Sequence, residues 1–374
     1  MERALQLAGQ AKGWSSPNPA VGAVIVRDGE VVGEGYTQPP GGPHAEIVAL
    51  RQAGERARGG ALYVTLEPCS HFGRTPPCTN ALIAAGVSEV HAALADPSPW
   101  VNGRGLAALE ANGITALLGE RESEARRLNE AYFKWVGTKR PFVSLKYAMT
   151  VDGRIATRTG SSRWISGGEA RGYVARLRAQ VDAVLVGIGT VLADDPLLTS
   201  RPQEFGIEME SPIHQPLRVV LDSSARLPPG ARIALRDLPG QTLVYTTQQA
   251  NGAKVARLHA GGIQVEVLPD EDGRVSIDAV MGALGQRGIT SVLAECGSTL
   301  AASLLAKGAV DKVLAFVSPK IVGGSAAPGP IGGAGVEQMT DALELADTEW
   351  TALGRDLLFT GYVRGQECPA SLEA

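Results

Sequence analysis

Two prolyl-cysteines nine residues apart, Pro68-Cys69 and Pro77-Cys78, stand a short way downstream of Pro43-His44-Ala45-Glu46. One imidazole and two thiolates make a three-ligand zinc set, and a set of three leaves a fourth position for water. Each cysteine follows a proline, and Cys78 is placed to open a helix, whose partial positive charge favours the thiolate that zinc needs. Glu46, two residues past His44 in the first turn of the same helix, fits a carboxylate that moves a proton from water to a leaving amine. A fold is therefore required in which a helix start, a strand end and a second helix start converge.

Periodicity supplies those elements. Residues 2–12 have helical spacing, while 20–26 and 30–36 are extended runs joined at Asp28-Gly29, a hairpin signal. Residues 44–57 read as a helix, 61–66 as a short strand, 79–85 as a helix capped by Gly86, and 90–94 as a buried strand. Residues 121–135 read as a charged, solvent-facing helix. The polar break 137–141 sets a boundary between domains 1–140 and 141–374. Beyond it, strands are expected at 142–147, 182–187, 217–222, 242–246, 264–268, 291–295, 312–317 and 357–363. Helices at 168–180, 277–286 and 299–307 alternate with them, which favours a mostly parallel sheet covered by helices.

Composition excludes other classes. Apolar residues make up 44% and charged residues 20%, so the chain can build cores. Its net charge is −4, from 35 Lys+Arg against 39 Asp+Glu, and aromatics are 5%, which argues against a phosphate funnel or a base-stacking platform. Four cysteines are too few for a disulfide scaffold. With no secretory leader or membrane span expected, the reading is a cytoplasmic protein without nucleic-acid or membrane partners.

The His-x-Glu and Pro-Cys parts match those of zinc nucleobase deaminases, with a longer cysteine spacing. Together with Ser15-Ser16-Pro17-Asn18-Pro19 and Glu67-Pro68-Cys69-Ser70-His71-Phe72-Gly73-Arg74-Thr75-Pro76-Pro77-Cys78, the chain resembles the bifunctional deaminase/reductase family of riboflavin biosynthesis. Later segments resemble the reductase half: Lys146, Asp152-Gly153-Arg154, Ser162-Arg163-Trp164-Ile165, Leu192-Ala193-Asp194-Asp195-Pro196 and Glu295-Cys296-Gly297-Ser298-Thr299-Leu300.

The resemblance implies an α/β chain with a cytidine-deaminase-like α/β/α domain followed by a dihydrofolate-reductase-like domain. It implies Zn2+ and NADPH as cofactors, a small phosphoribosylamino-pyrimidine as substrate, and a homo-oligomer, dimer or tetramer. The implied steps are hydrolytic loss of one ring amine and then reduction of the ribosyl chain to ribityl. His44, Cys69 and Cys78 match the zinc ligands, Glu46 the proton shuttle, and Asn18, Arg74 and Asp96 the substrate contacts of the deaminase. Where the family often has Asp-Pro-Asn-Pro, this chain has Asp96-Pro97-Ser98-Pro99.

In the reductase half, Ala148, Trp164, Thr190, Asp194, Ser223 and Gly297, Ser298, Thr299, Leu300, Ala301, Ala302 and Ser303 match cofactor positions. Ser162, Arg178, Leu198, Arg201, Glu295 and Lys146 match substrate positions. Physical chemistry supports several of these. Gly187-Ile188-Gly189-Thr190 and Gly297-Ser298-Thr299 follow strands and open helices, where backbone N–H groups can bind phosphate. Arg178 and Arg201 can grip phosphate as a fork. Two other readings stay open: a zinc nucleic-acid deaminase with a C-terminal binding module, and a structural zinc protein with His71 as fourth ligand.

Overall fold

The computed structural model describes residues 1–73, 75–209 and 213–365, and the chain divides into two compact units, Met1–Lys139 and Arg140–Ala374. Arg74 and Cys368 lie outside the described residues. Among the described residues no helix is long and apolar enough to cross a membrane.

The first unit runs α1 (Glu2–Ala11), β1 (Gly22–Arg27), β2 (Glu30–Tyr36), α2 (Ala45–Ala53), β3 (Ala61–Val64), α3 (Cys78–Ala85), β4 (Glu89–Ala92), α4 (Arg104–Glu110), β5 (Thr115–Leu118), α5 (Glu122–Leu128) and α6 (Glu130–Thr138). Its sheet has the order β2-β1-β3-β4-β5, antiparallel across β2, β1 and β3 and parallel from β3 to β5. Asp28 and Gly29 turn the hairpin with φ of 51° and 80°, the left-handed pair that matches strand twist.

Small residues decide how closely the helices approach. Ala45, Ala49 and Ala53 form the buried face of α2. On β2, a Cβ at Gly33 would lie 2.2 Å from the Ala49 carbonyl oxygen. The helix that carries His44 and Glu46 thus rests directly on strand backbone.

Several elements differ from the sequence expectation. The 44–57 helix ends as α2 at Ala53 and tightens into a 3-10 turn over Gly54–Ala57, because Gly54 takes a positive φ. The 121–135 helix is two helices broken at Asn129, and it is not solely solvent-facing: Ala125, Asn129 and Phe133 are buried. Asn129 breaks it because its side chain serves another segment, accepting from the Ala20 N–H and donating to the Ala20 carbonyl, both at 2.9 Å.

The second unit runs β6 (Phe142–Thr150), α7 (Gly168–Ala179), β7 (Ala183–Gly187), α8 (Ile188–Asp194), β8 (Leu217–Leu221), β9 (Thr242–Thr246), α9 (Gly252–Ala260), β10 (Gln264–Val267), β11 (Asp270–Glu271) and β12 (Arg274–Val275). It continues with α10 (Ile277–Gln286), β13 (Ser291–Ala294), α11 (Ser298–Ala306), β14 (Lys312–Ser318), β15 (Leu345–Leu353) and β16 (Asp356–Val363). Nine strands lie in the order β10-β9-β8-β7-β13-β6-β14-β16-β15, parallel from β10 to β14 and antiparallel at β16 and β15. Strands β7, β8, β9 and β13 are buried along nearly their whole length, as a sheet covered on both faces demands. One core gathers Leu145, Leu185, Leu243 and Tyr245 under α10 and α11; the other gathers Val184, Val220, Ile233 and Phe316 with α7.

Buried carboxylates align the strand starts. Asp182 accepts from the Thr290 and Ser291 N–H groups at 2.7 and 3.0 Å, and Asp311 from the Val143 N–H at 2.7 Å.

Candidate active sites

The first site is assembled at helix starts. His44 is the N-cap of α2, and Cys78 is the first residue of α3, behind Pro77. The Thr79 N–H and hydroxyl both donate to the Cys69 carbonyl, at 3.2 and 3.3 Å, so α3 fixes the turn that carries Cys69. His44 Nδ1 is 3.6 Å from Cys69 Sγ and 3.3 Å from Cys78 Sγ. All three donor atoms lie within 4.8 Å of one another, a spacing at which one ion can be shared. The donor set fits zinc: two soft thiolates and an imidazole whose other nitrogen, Nε2, is 3.4 Å from Thr75 Oγ1 and is thereby oriented.

Charge in this cluster is uneven. A hydrogen bond from the Cys78 side chain and the neighbouring His44 hold Cys69 well below the usual thiol range, despite burial. Glu46 is 3% exposed; burial first, and then the Cys69 sulfur, push its carboxyl up to about 7. It is also a hydrogen-bond partner of the Cys78 side chain. A buried acid beside the metal ligands, with an affinity for protons near neutrality, can both take and return one.

Asp96 and Asn18 occupy two other loops of the same unit. Asp96 is buried, its Oδ1 accepting from the Ser98 N–H at 2.9 Å and from the Tyr132 hydroxyl at 3.1 Å. Burial pushes its carboxyl up to about 6, opposed by the Ser98 and Tyr132 hydrogen bonds. The Asn18 N–H closes a turn onto the Ser15 carbonyl at 2.8 Å, two residues before the Asn129 clamp on Ala20. Tyr132, Asn129 and Glu67 escape the sequence reading. The stripe Ala125, Asn129, Tyr132, Phe133 has helical spacing and could have flagged the first two, but charged neighbours mask it.

The second site lies at the carboxyl ends of the parallel strands. Gly187 ends β7 and caps α8, and Gly297 caps α11 just past β13. The two starts lie close together: a Cβ at Gly297 would be 3.8 Å from Thr190 Oγ1, and one at Gly187 would be 3.4 Å from Leu300. Two converging glycine helix starts, whose first N–H groups have no acceptor within their own helix, fit a dinucleotide's phosphates.

Arg178 lies against a carboxylate. Its Nε and Nη2 donate to Glu295 Oε1 and Oε2 at 2.6 and 2.9 Å, so that face of the fork already holds a carboxylate. Lys146, on β6, stands 3.6 Å from Glu295 Oε2 and 5.5 Å from the centre of the Phe316 ring. Arg201 is likewise engaged, with Nη1 on both Glu204 oxygens at 2.9 Å.

Other candidates fall as follows. The Ser162 hydroxyl donates to Asp194 Oδ1 at 2.8 Å, joining an expected substrate position to an expected cofactor position. Trp164 is exposed, with the Arg171 guanidinium 4.5 Å over its ring. Leu198 is buried with a φ of 56°, a strained conformation for a branched residue. Ser223 Oγ accepts from the Val275 N–H at 3.0 Å. Ala148 packs against the core that includes α7, Ala301 lies within the core under α10 and α11, and the Ser303 hydroxyl bonds the Thr299 carbonyl at 3.1 Å. Ala302 faces Gly333, and the Ser298 carbonyl accepts from the Gly332 N–H at 3.0 Å.

Fold and sites together define a two-unit α/β enzyme in which a zinc-type hydrolytic site precedes a separate dinucleotide-type site. Residues 1–94 match the cytidine and deoxycytidylate deaminase zinc-binding region, and residues 141–359 match the RibD C-terminal domain. The riboflavin biosynthesis protein RibD of Synechocystis is 46% identical over 98% of this chain and 96% of its own. The structure of Acinetobacter baumannii RibD in form 1 superposes with a TM-score of 0.85 at 36% identity, covering 97% of each chain. A Thermotoga maritima structure superposes with a TM-score of 0.82 at 34% identity over 97% of each chain. It is described as a diaminohydroxyphosphoribosylaminopyrimidine deaminase/5-amino-6-(5-phosphoribosylamino)uracil reductase.

The chain belongs to the RibD family of riboflavin biosynthesis proteins. It is a bifunctional deaminase and reductase, with a cytidine-deaminase-like first part, a dihydrofolate-reductase-like second part, and Zn2+ and NADPH as cofactors.

Proposed function

We propose that residues 1–140 carry the deamination and residues 141–374 the reduction, on the residues assembled above. The observation that carries the reading is the convergence of His44, Cys69, Cys78 and Glu46 from two helix starts and the loop that follows β3. His44, Cys69 and Cys78 would hold the zinc, which when bound would supply an acidified water as nucleophile. Glu46 takes a proton from the attacking water and hands it to the departing ring amine. Asp96 and Asn18 hold polar groups of the substrate, and the burial of Glu46 keeps bulk water from its carboxyl.

In the second part NADPH supplies the hydride. Gly297 and the first turn of α11, with Thr190, Asp194, Trp164, Ala148 and Ser223, line its course. Lys146 and Glu295 face the ribosyl oxygens, Arg178 keeps Glu295 ionised, and Ser162, Leu198 and Arg201 frame the substrate end. The enzyme works in the cytoplasm as a homo-oligomer, with a small phosphoribosylamino-pyrimidine as its partner.

The test separates the two reactions. The diaminopyrimidinone phosphoribosylamine is supplied without NADPH and ammonia is measured; NADPH is then added and its absorbance followed. Ammonia first and NADPH loss afterwards support both assignments. Ammonia without NADPH oxidation would remove the reductase assignment, and neither signal from folded, zinc-loaded protein would remove both.

A further inference from the structure

The metal ligands and Asp96 sit on different loops, and one buried carboxylate joins them. Glu67 follows β3, two residues before Cys69, and is 3% exposed. Its Oε2 accepts from the Asp96 N–H at 3.2 Å and the Gly103 N–H at 2.9 Å. Its Oε1 accepts from the Gly105 N–H at 2.8 Å and the Leu106 N–H at 3.2 Å. Three of these donors belong to the cap and first turn of α4, whose own N-cap, Gly103, has no side chain to offer. The strand end therefore caps a helix from outside it.

The fit is tight on the metal side as well. A Cβ at Gly105 would lie 2.0 Å from the Pro68 carbonyl oxygen, so α4 begins against the backbone that leads into Cys69. On the far side, the Asp96 whose N–H Glu67 holds is braced at its carboxyl by Ser98 and Tyr132.

We propose that Glu67 is a positioning residue for the deamination: it holds the Asp96 loop in register with the Cys69 loop, so that the Asp96 carboxyl keeps a fixed place relative to the metal ligands. This rests on the reading of Asp96 as a substrate contact. A carboxylate offers only acceptors, and four N–H groups use them; a glutamine would turn its NH2 toward two of those donors.

The test is a double-mutant cycle in the zinc-loaded full chain, with Glu67→Gln, Asp96→Asn and the pair. KM and kcat of deamination are read separately, alongside zinc content and NADPH oxidation on the uracil intermediate. Glu67→Gln is expected to keep its zinc and its reductase rate while KM for deamination rises about tenfold, the scale of one lost hydrogen bond. In the Asp96→Asn background the same change should leave KM unaltered.

Equal effects in both backgrounds, an unchanged KM, or loss of zinc would each overturn the proposal. Unchanged KM in Asp96→Asn alone would instead remove Asp96 from the substrate contacts, and the proposal with it. If Glu67→Gln does not fold, Gly103→Ala strains the same loop mildly at a φ of 82° with open space around it. It should raise KM in the same direction, again only when Asp96 is present; no change there also overturns the proposal.

Discussion

Arg178 and Glu295, 117 residues apart in sequence, meet as two forks, Nε on Oε1 at 2.6 Å and Nη2 on Oε2 at 2.9 Å, at the carboxyl end of the parallel sheet. With Lys146 3.6 Å from the same carboxylate, two basic groups face one acid, and burial lowers the Lys146 ammonium's hold on its proton while Glu295 supports it. Arg178 and Lys146 keep that carboxyl ionised, and Glu295 in turn offsets the repulsion between the two basic groups.

The trio sets an acid limit on the second unit. Burial alone would raise the Glu295 carboxyl, but Arg178 and Lys146 outweigh it and hold it at about 2, against an ordinary 4.5. A carboxyl lowered by folding contributes stability that is complete above its unfolded value and is lost as pH falls through the folded one. The melting temperature of the second unit should therefore drop between about pH 4.5 and about pH 2. Calorimetry on Glu295→Gln should show this part of the drop removed, and a profile identical to the parent would show that the pair contributes nothing.

Glu46→Gln keeps the side-chain volume and leaves His44, Cys69 and Cys78 in place. Zinc content should stay at the parent level while kcat for ammonia release falls by about 10²–10⁴, the usual range for a general acid–base group. NADPH oxidation on the uracil intermediate should not change. Metal analysis and the two assays on one preparation decide it: an enzyme that still releases ammonia at the parent rate has its proton shuttle elsewhere.

Asn129 joins α5 and α6 to the segment behind Asn18 through a two-way amide contact with Ala20, at 2.9 Å each way. Asn129→Ala leaves a buried N–H and C=O without that partner. The first unit should lose about 1–3 kcal/mol by denaturant unfolding, with little change in the second. Asn129→Asp, which retains the acceptor but sets a buried carboxylate oxygen against the Ala20 carbonyl, should lose at least as much as alanine above the carboxyl's pKa.

The metal site was legible because its parts are short-range in sequence and few residue types can do their work. Cys69, Cys78 and His44 are marked by their prolines and by Glu46, and the parallel sheet by strands apolar on both faces. What the sequence hides is whatever acts across distance through the backbone. Glu67 reads as one more residue of a motif until its oxygens are seen on the N–H groups of Asp96, Gly103, Gly105 and Leu106. Arg178 reads as a solvated helix residue or a phosphate grip, and only the fold brings Glu295 to it. The α5–α6 break is hidden for the same reason, since Asn129 leaves its helix to serve Ala20. The antiparallel edge was half legible, with β16 expected near 357–363 and β15, nearly all exposed, carrying no alternation to reveal it.

Gly35 controls where His44 and Glu46 stand. A Cβ there would lie 2.5 Å from the Ala45 carbonyl oxygen and 2.6 Å from Val48 Cβ, and Ala45 separates the metal ligand from the proton shuttle. Gly35→Ala must push the first turn of α2 off β2, because backbone on both sides cannot yield as a flexible side chain would. Overpacking of this kind costs about 1–3 kcal/mol, and the first unit should melt earlier, with weaker zinc retention under chelator and slower ammonia release. Gly9→Ala is the counterpart: Gly9 sits inside α1, and a methyl group there would meet nothing within 4 Å. Alanine at that position should raise stability by about 0.5–1 kcal/mol through helix propensity alone. Unfolding curves of the two variants should therefore move in opposite directions from the parent. If Gly35→Ala matches Gly9→Ala in stability and zinc retention, the close seat of α2 on β2 does not set the metal site.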